Sequence, residues 1–280
     1  MVNNTKVLIV GLGLMGGAYA LRLSKKGYDV YGTDLNHDAI KFALENEYIK
    51  YGDINPENYI SQMDMIILCI YPQAILNFLR KYKKLFKENQ VITDICGVKS
   101  QLVPEAYRLA KPAVYYSHHP MAGREKVGIE YSHLCVFEEA NFLITSYYSE
   151  NKDAEERLRK LGADLGFGRI TIMDIYKHDR MIGFTSQLTH AIAVSLVNSD
   201  HDADTKNFIG DSYRDLTRIA MINDSLWSEL FLENRANLLT HIESFEMELK
   251  KLKQALYDDN KDALCDLFKS STLIRKEMEK

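Results

Sequence analysis

Two adjacent histidines, His118 and His119, stand immediately before Pro120. An imidazole changes charge near neutral pH, and its neutral form can accept a proton or a hydrogen bond, so a loop histidine is a candidate general base. A His-His pair can also bind zinc, but no nearby cysteine or carboxylate has ligand spacing, so no metal is expected. The four cysteines, Cys69, Cys96, Cys135 and Cys265, are scattered without a CxxC pair. They indicate neither a zinc site nor a disulfide framework, and they fit a cytoplasmic protein with free thiols. Later in the chain, Arg214 and Arg218 lie four residues apart and share one helix face. A guanidinium fork can hold a carboxylate through two bonds. From the residues alone, a solvated helix with an Asp215–Arg218 ion pair is the plainer reading of that segment.

A third cluster is Gly11-Leu12-Gly13-Leu14-Met15-Gly16. Glycine triplets are common by chance, but this one follows an apolar strand pattern and opens an amphipathic helix pattern, as a dinucleotide fingerprint requires. The first glycine permits the tight turn, the second lets a pyrophosphate approach the backbone, and the third lets helix and strand pack closely. Asp34 ends the second strand pattern, where a carboxylate accepts from an adenosine ribose and repels a phosphate on it. No lysine or arginine follows until Lys41. These features predict NAD as cofactor.

These groups need a scaffold. Strand patterns fall at 6–10, 30–33, 65–70, 91–95, 114–116 and 142–145, mostly near-continuous Val, Ile and Leu, as in parallel strands buried on both faces. Helical patterns at 15–26, 37–46, 73–86 and 99–110 alternate with them, and a helix at 153–165 and a strand at 169–173 follow. The alternation predicts a Rossmann-type, doubly wound α/β sheet in a domain of residues 1–173. Segments 94–99 and 117–125 both follow strand patterns, at the sheet end where ligands bind. Beyond Asp174 the strand patterns stop. Helical periods run at 175–198, 208–222, 225–258 and from 260 onward, with no proline to interrupt them. An all-helical domain of residues 174–280 is expected. Helices this long need a partner surface, which points to a homodimer.

Composition narrows the class. The chain has 280 residues, 46% hydrophobic, and a formal net charge of -4, enough to build a core and too acidic to suggest a nucleic-acid partner. The cluster Lys81, Lys83, Lys84 and Lys87 reads as a solvated helix face. No apolar run approaches the ~20 residues of a membrane helix, and no signal peptide is visible.

Taken together, Gly-Leu-Gly-Leu-Met-Gly-Gly, Ser117-His118-His119-Pro120-Met121-Ala122-Gly123, Asp215-Leu216-Thr217-Arg218-Ile219-Ala220, and Trp227 followed by Phe231-Leu232-Glu233-Asn234 resemble the prephenate dehydrogenase family. The resemblance covers essentially the whole chain, in order. It implies a nucleotide-binding domain followed by a helical dimerisation domain. It also implies NAD-dependent oxidative decarboxylation of prephenate to 4-hydroxyphenylpyruvate, in tyrosine biosynthesis. On this resemblance His119 is the catalytic histidine, Arg218 the substrate-carboxylate arginine, Glu125 and Asp215 members of an ionic network at the pocket entrance, and Trp227 a pocket residue.

Two positions depart from the family pattern. Gly97 stands where members often carry a serine whose hydroxyl helps hold the histidine and substrate; Ser100 or a water would replace it. Ser186-Gln187-Leu188-Thr189-His190 stands where many carry Ser-His-Leu-Pro-His, which places Gln187 and His190 as substrate contacts. The implied chemistry has neutral His119 accept a hydrogen bond from the ring hydroxyl while hydride leaves, so rates are expected to fall as pH drops through the histidine range. The nearest alternative is arogenate dehydrogenase. Remoter ones are a 3-hydroxyacid dehydrogenase-like enzyme, which has no use for the Ser-His-His-Pro motif, and a non-catalytic NAD-binding sensor. No appended regulatory domain is expected, so tyrosine inhibition would act at the active site itself.

Overall fold

A computed structural model describes residues 5–123, 126–147 and 151–279. Six short strands form one parallel sheet: β1 (Lys6–Val10), β2 (Asp29–Thr33), β3 (Tyr51–Gly52), β4 (Met65–Leu68), β5 (Val91–Asp94) and β6 (Val114–Tyr115). Their spatial order is β3-β2-β1-β4-β5-β6. Successive residues of a strand face opposite sides, and β1 feeds both layers: Val7 and Ile9 join one core cluster, Leu8 and Val10 the other. The first cluster packs helices α1 (Leu14–Lys25), α2 (His37–Glu45) and α6 (Lys152–Leu165) against the sheet. The second packs α4 (Pro72–Tyr82) and α5 (Leu102–Ala110) on the other face, with the one-turn α3 (Glu57–Ile60) preceding β4. Strand order reverses between β1 and β4, so a crevice opens beyond their carboxyl ends, the usual ligand position in an open α/β sheet.

A second, three-stranded sheet follows, which the sequence patterns do not anticipate. Strand β7 (Ser117–Pro120) pairs antiparallel with β8 (Asn141–Ser146), and β8 pairs parallel with β9 (Arg169–Asp174). The histidine pair therefore lies on a strand and not on a loop. Ser-His-His-Pro lacks the branched apolar residues that signal a strand, and only the pairing with Phe142–Thr145 reveals it.

Every described element after β9 is helical. Helix α7 (Ile175–Ile182) continues through a π turn at Gly183–Gln187 into α8 (Leu188–Asn198), so the expected helix over 175–198 forms with one wide turn inside it. Gly183 lies in that turn, where an added Cβ would come within 3.1 Å of His241 and 3.3 Å of the Asn234 amide. Helix α9 (Asp211–Thr217) leads into a 3-10 turn at Arg218–Ala220, and α10 (Asp224–Glu233), α11 (Arg235–Tyr257) and α12 (Lys261–Glu277) complete the chain. The helix expected over 225–258 is interrupted at Asn234, which is buried, leaves helical geometry at φ -108° and ψ 21°, and hydrogen-bonds α7 and the π turn through its side chain. Helix α5 also starts later than expected, after a turn whose Lys99 and Ser100 N–H groups are bonded to Asp179 of α7. Among the described residues no helix is long and apolar enough to cross a membrane.

Candidate active site

The glycine turn sits in the crevice between β1 and β4. Gly11 adopts φ +91°, and a Cβ there would meet the Cys69 carbonyl oxygen at 2.5 Å. Gly16 packs so tightly on the turn that a Cβ would lie 1.8 Å from the Gly11 carbonyl oxygen. Gly13 is different: nothing lies within 4 Å of its missing side chain. That open space borders the start of α1, whose first N–H groups have no side-chain cap, and it has the character of a cradle for a pyrophosphate. Leu12 donates its N–H to the Asp34 carboxylate at 2.6 Å, and Asn36 N–H donates to the other oxygen at 2.8 Å. Asp34 is thereby fixed at the end of β2, with acceptor capacity left on both oxygens. Leu14 and Met15 begin α1 and pack against the first core cluster. These residues fit NAD.

Alternation along β7 sends the two histidines to opposite sides. His118 is fully buried, stacked on Phe142 and Tyr19, with its ring nitrogens hydrogen-bonded to Thr93 Oγ1 at 2.6 Å and Tyr19 Oη at 3.0 Å. Burial, reinforced by the nearby Lys99 charge, lowers its pKa to about 3. His118 thus joins β7 to β5 and α1. His119 is only partly buried and turns toward α7, where its Nδ1 lies 2.9 Å from His178 Nε2. His178 Nδ1 in turn lies 2.8 Å from Asp179 Oδ1. The other edge of the His119 ring faces Gly97: a Cβ there would stand 3.8 Å from His119 Nε2 and 3.7 Å from Leu230 Cδ1, ordinary contact distances.

Burial, ahead of the surrounding charges, keeps the imidazoles of this cluster neutral. Desolvation, followed by the neighbouring His178, Lys99 and His118, holds the His119 pKa well below its ordinary value. Desolvation also lowers His178, outweighing the opposing hydrogen bond it donates to Asp179. Lys99 is completely buried, donating to Asp94 Oδ1 and to the His118 carbonyl, each at 2.7 Å. Burial alone would raise the Asp94 carboxyl, but the Lys99 charge, together with hydrogen bonds that include the Tyr115 hydroxyl, brings it below the usual range. On α10, Glu233 has one buried carboxylate oxygen without a hydrogen-bond partner among the described residues. Burial, then repulsion from Glu229 and Asp179, raises its pKa to about 7.

The remaining expected site residues fall in three places. His190 and Trp227 come together, their rings stacked 3.7 Å apart, with His190 Nδ1–H donated to the Ser186 carbonyl. Arg218 lies on the 3-10 turn packed against α8, the helix that carries His190, and both Arg218 and Asp215 are exposed. Glu125 lies outside the described residues. Two assignments need correction. Gln187 is buried, donates to the Leu230 carbonyl at 3.0 Å and accepts from Asn234 at 2.7 Å; its amide ties the π turn to α10 instead of reaching substrate. Ser100 directs its N–H and hydroxyl to Asp179, so it does not stand in for the hydroxyl missing at Gly97. Sequence reasoning missed Lys99, His178 and Asp179 as site residues. Lys99 carried a usable signal, since it closes the Gly-Val-Lys motif beyond β5.

Residues 18–170 match the prephenate dehydrogenase nucleotide-binding domain, and residues 174–270 match the prephenate dehydrogenase dimerization domain. The chain belongs to the prephenate dehydrogenase family. A prephenate dehydrogenase from Lactococcus lactis is 30% identical over 98% of this chain and 77% of its own length. A cyclohexadienyl dehydrogenase from Zymomonas mobilis is 26% identical over 96% of this chain and 94% of its own. The crystal structure of the Aquifex aeolicus prephenate dehydrogenase in complex with hydroxyphenyl propionate and NAD+ superposes with a TM-score of 0.88 at 28% identity, covering 99% of both chains. The family's two-part organisation agrees with the change at β9, where a sheet-based architecture gives way to helices.

Proposed function

We propose that this chain catalyses the NAD-dependent oxidative decarboxylation of prephenate to 4-hydroxyphenylpyruvate. The observation that carries the reading is His119: a neutral, partly accessible imidazole whose Nε2 edge faces the side-chain-free Gly97, in a chain built like a prephenate dehydrogenase throughout its length. Gly11, Gly13, Gly16 and Asp34 would hold NAD, which would supply the acceptor for the hydride leaving the carbinol carbon. His119 Nε2 accepts a hydrogen bond from the ring hydroxyl, and this interaction strengthens as positive charge develops on the carbinol carbon. The C–C bond to the ring carboxylate breaks, its electron pair completes the aromatic ring, and carbon dioxide leaves.

In this reading Arg218 binds a substrate carboxylate, Trp227 and His190 line the pocket, and Asp215 and Glu125 belong to an ionic network at its entrance. The helical part forms a homodimer, and four cysteines held in no disulfide suit a cytoplasmic protein. Following NADH absorbance with prephenate and, separately, with arogenate tests the proposal. Turnover of prephenate is expected, and kcat/KM for the two substrates assigns the preference. Absence of turnover with both would reject it.

A further inference from the structure

The hydrogen-bonded row His119–His178–Asp179 crosses from β7 to α7, and neither histidine's proton position is free once the acceptor at its end is considered. Asp179 is a carboxylate and can only accept. It takes the backbone N–H of Lys99 at 2.9 Å and of Ser100 at 2.7 Å, and its remaining partner in the row is His178 Nδ1. His178 therefore carries its proton on Nδ1. A neutral ring has one donor and one acceptor, so His178 Nε2 presents a lone pair, and the atom facing it, His119 Nδ1, must be the donor. His119 Nε2 is then left bare, on the edge that faces Gly97.

We propose that His178 and Asp179 are positioning residues that lock His119 into its Nδ1–H tautomer, so that Nε2 is an acceptor before substrate arrives. The proposal rests on the reading of His119 as the acceptor of the substrate hydroxyl. The pair does its work from the helical part of the chain, so the acceptor on β7 is correctly set only when α7 is docked on the loop after β5. Neither residue contacts substrate. If His178 donated through both nitrogens, His119 would be forced to the opposite tautomer and would offer the hydroxyl a proton instead of a lone pair.

The test compares His178→Phe, which removes the acceptor, with His178→Gln, whose side-chain carbonyl can still accept from His119 Nδ1. Steady-state kinetics with prephenate and NAD, and ¹⁵N NMR of the histidine rings in the whole enzyme, are the readouts. His178→Phe is expected to lower kcat on the order of 10–100-fold, the usual effect of removing an outer orienting partner. KM should change little, and His178→Gln should recover most of the lost turnover. Wild-type spectra should show His119 protonated on Nδ1 and bare on Nε2. Wild-type His119 protonated on Nε2, or unchanged kcat in a folded His178→Phe variant, would overturn the proposal. Should the phenylalanine variant fail to fold, the wild-type spectrum and the His178→Gln kinetics still decide. His119→Asn measured in parallel separates the two levels: if it stays active, the functional reading itself fails; if it is inactive while His178→Phe is normal, only the locking role is lost.

Discussion

His119→Asn removes the ring edge that faces Gly97 and should lower kcat by roughly 10²–10⁴-fold with little effect on KM. Arg218→Ala, which removes a proposed carboxylate partner, should act mainly on KM. The acid limb of the rate profile belongs to this scale too. The sequence-based expectation places it in the ordinary histidine range, but burial and neighbouring positive charge move His119 well below 6.5. Because only the neutral ring accepts, kcat/KM should hold through pH 6.5 and fall only at lower pH; a half-loss near 6.5 would contradict the environment described. Stability follows the same sign. The unfolded chain protonates His118 from about pH 6.5 downward while the folded state resists until about 3, so stability is complete above 6.5 and declines across that window. Lys99→Met leaves Asp94 buried without its cation and should cost about 3–5 kcal/mol in denaturant unfolding. His119 was legible because proline and glycine surround it in a distinctive motif. His178 and Asp179 were not: they sit between exposed Tyr176, Lys177 and Arg180 on a helix of mixed polarity, and only tertiary packing buries them.

Among the elements, the three glycines of the turn separate binding from folding. Gly13→Ala adds a methyl to open space and should leave the melting temperature unchanged while weakening NAD binding by calorimetry. Gly16→Ala drives a methyl into the Gly11 carbonyl and should lower the melting temperature or prevent folding. Asn234→Ala deletes the bonds to the Asp179 carbonyl and to Gln187, leaving buried groups unpaired, and should destabilise by ~1–3 kcal/mol. Parallel strands were readable from their runs of Val, Ile and Leu, because burial on both faces forces that composition. Strand β7 and the break at Asn234 were not, because each depends on a partner distant in sequence: β8 for the first, α7 and Gln187 for the second.

At the level of the molecule, α11 and α12 pack against each other and still expose Leu249, Leu256, Leu273 and Ile274, each more than half accessible. So much apolar surface on neighbouring helices suits an association site, and the dimerization-domain match takes in Leu249 and Leu256. Sedimentation should give a particle of twice the 32.2 kDa chain mass, and Leu256→Glu with Leu273→Glu should shift it toward the monomer. The sheet-then-helix organisation was legible from the switch in hydrophobic period, from runs typical of strands to the 3.6-residue repeat of helices. How the two parts lock together was not, since Asp179, Lys99 and Ser100 meet across some eighty positions of sequence.

The wide turn at Gly183–Gln187 sets two angular registers on one rod. Its first stretch aims His178 and Asp179 at the sheet; its second aims His190 at the indole of Trp227. Winding the same residues as a regular α turn would rotate everything beyond it by about one residue's step, roughly 100°. The imidazole of His190 would swing off its aromatic shelf while the proton-setting pair stayed in place, uncoupling the pocket wall from the chemical centre without altering one side chain of either.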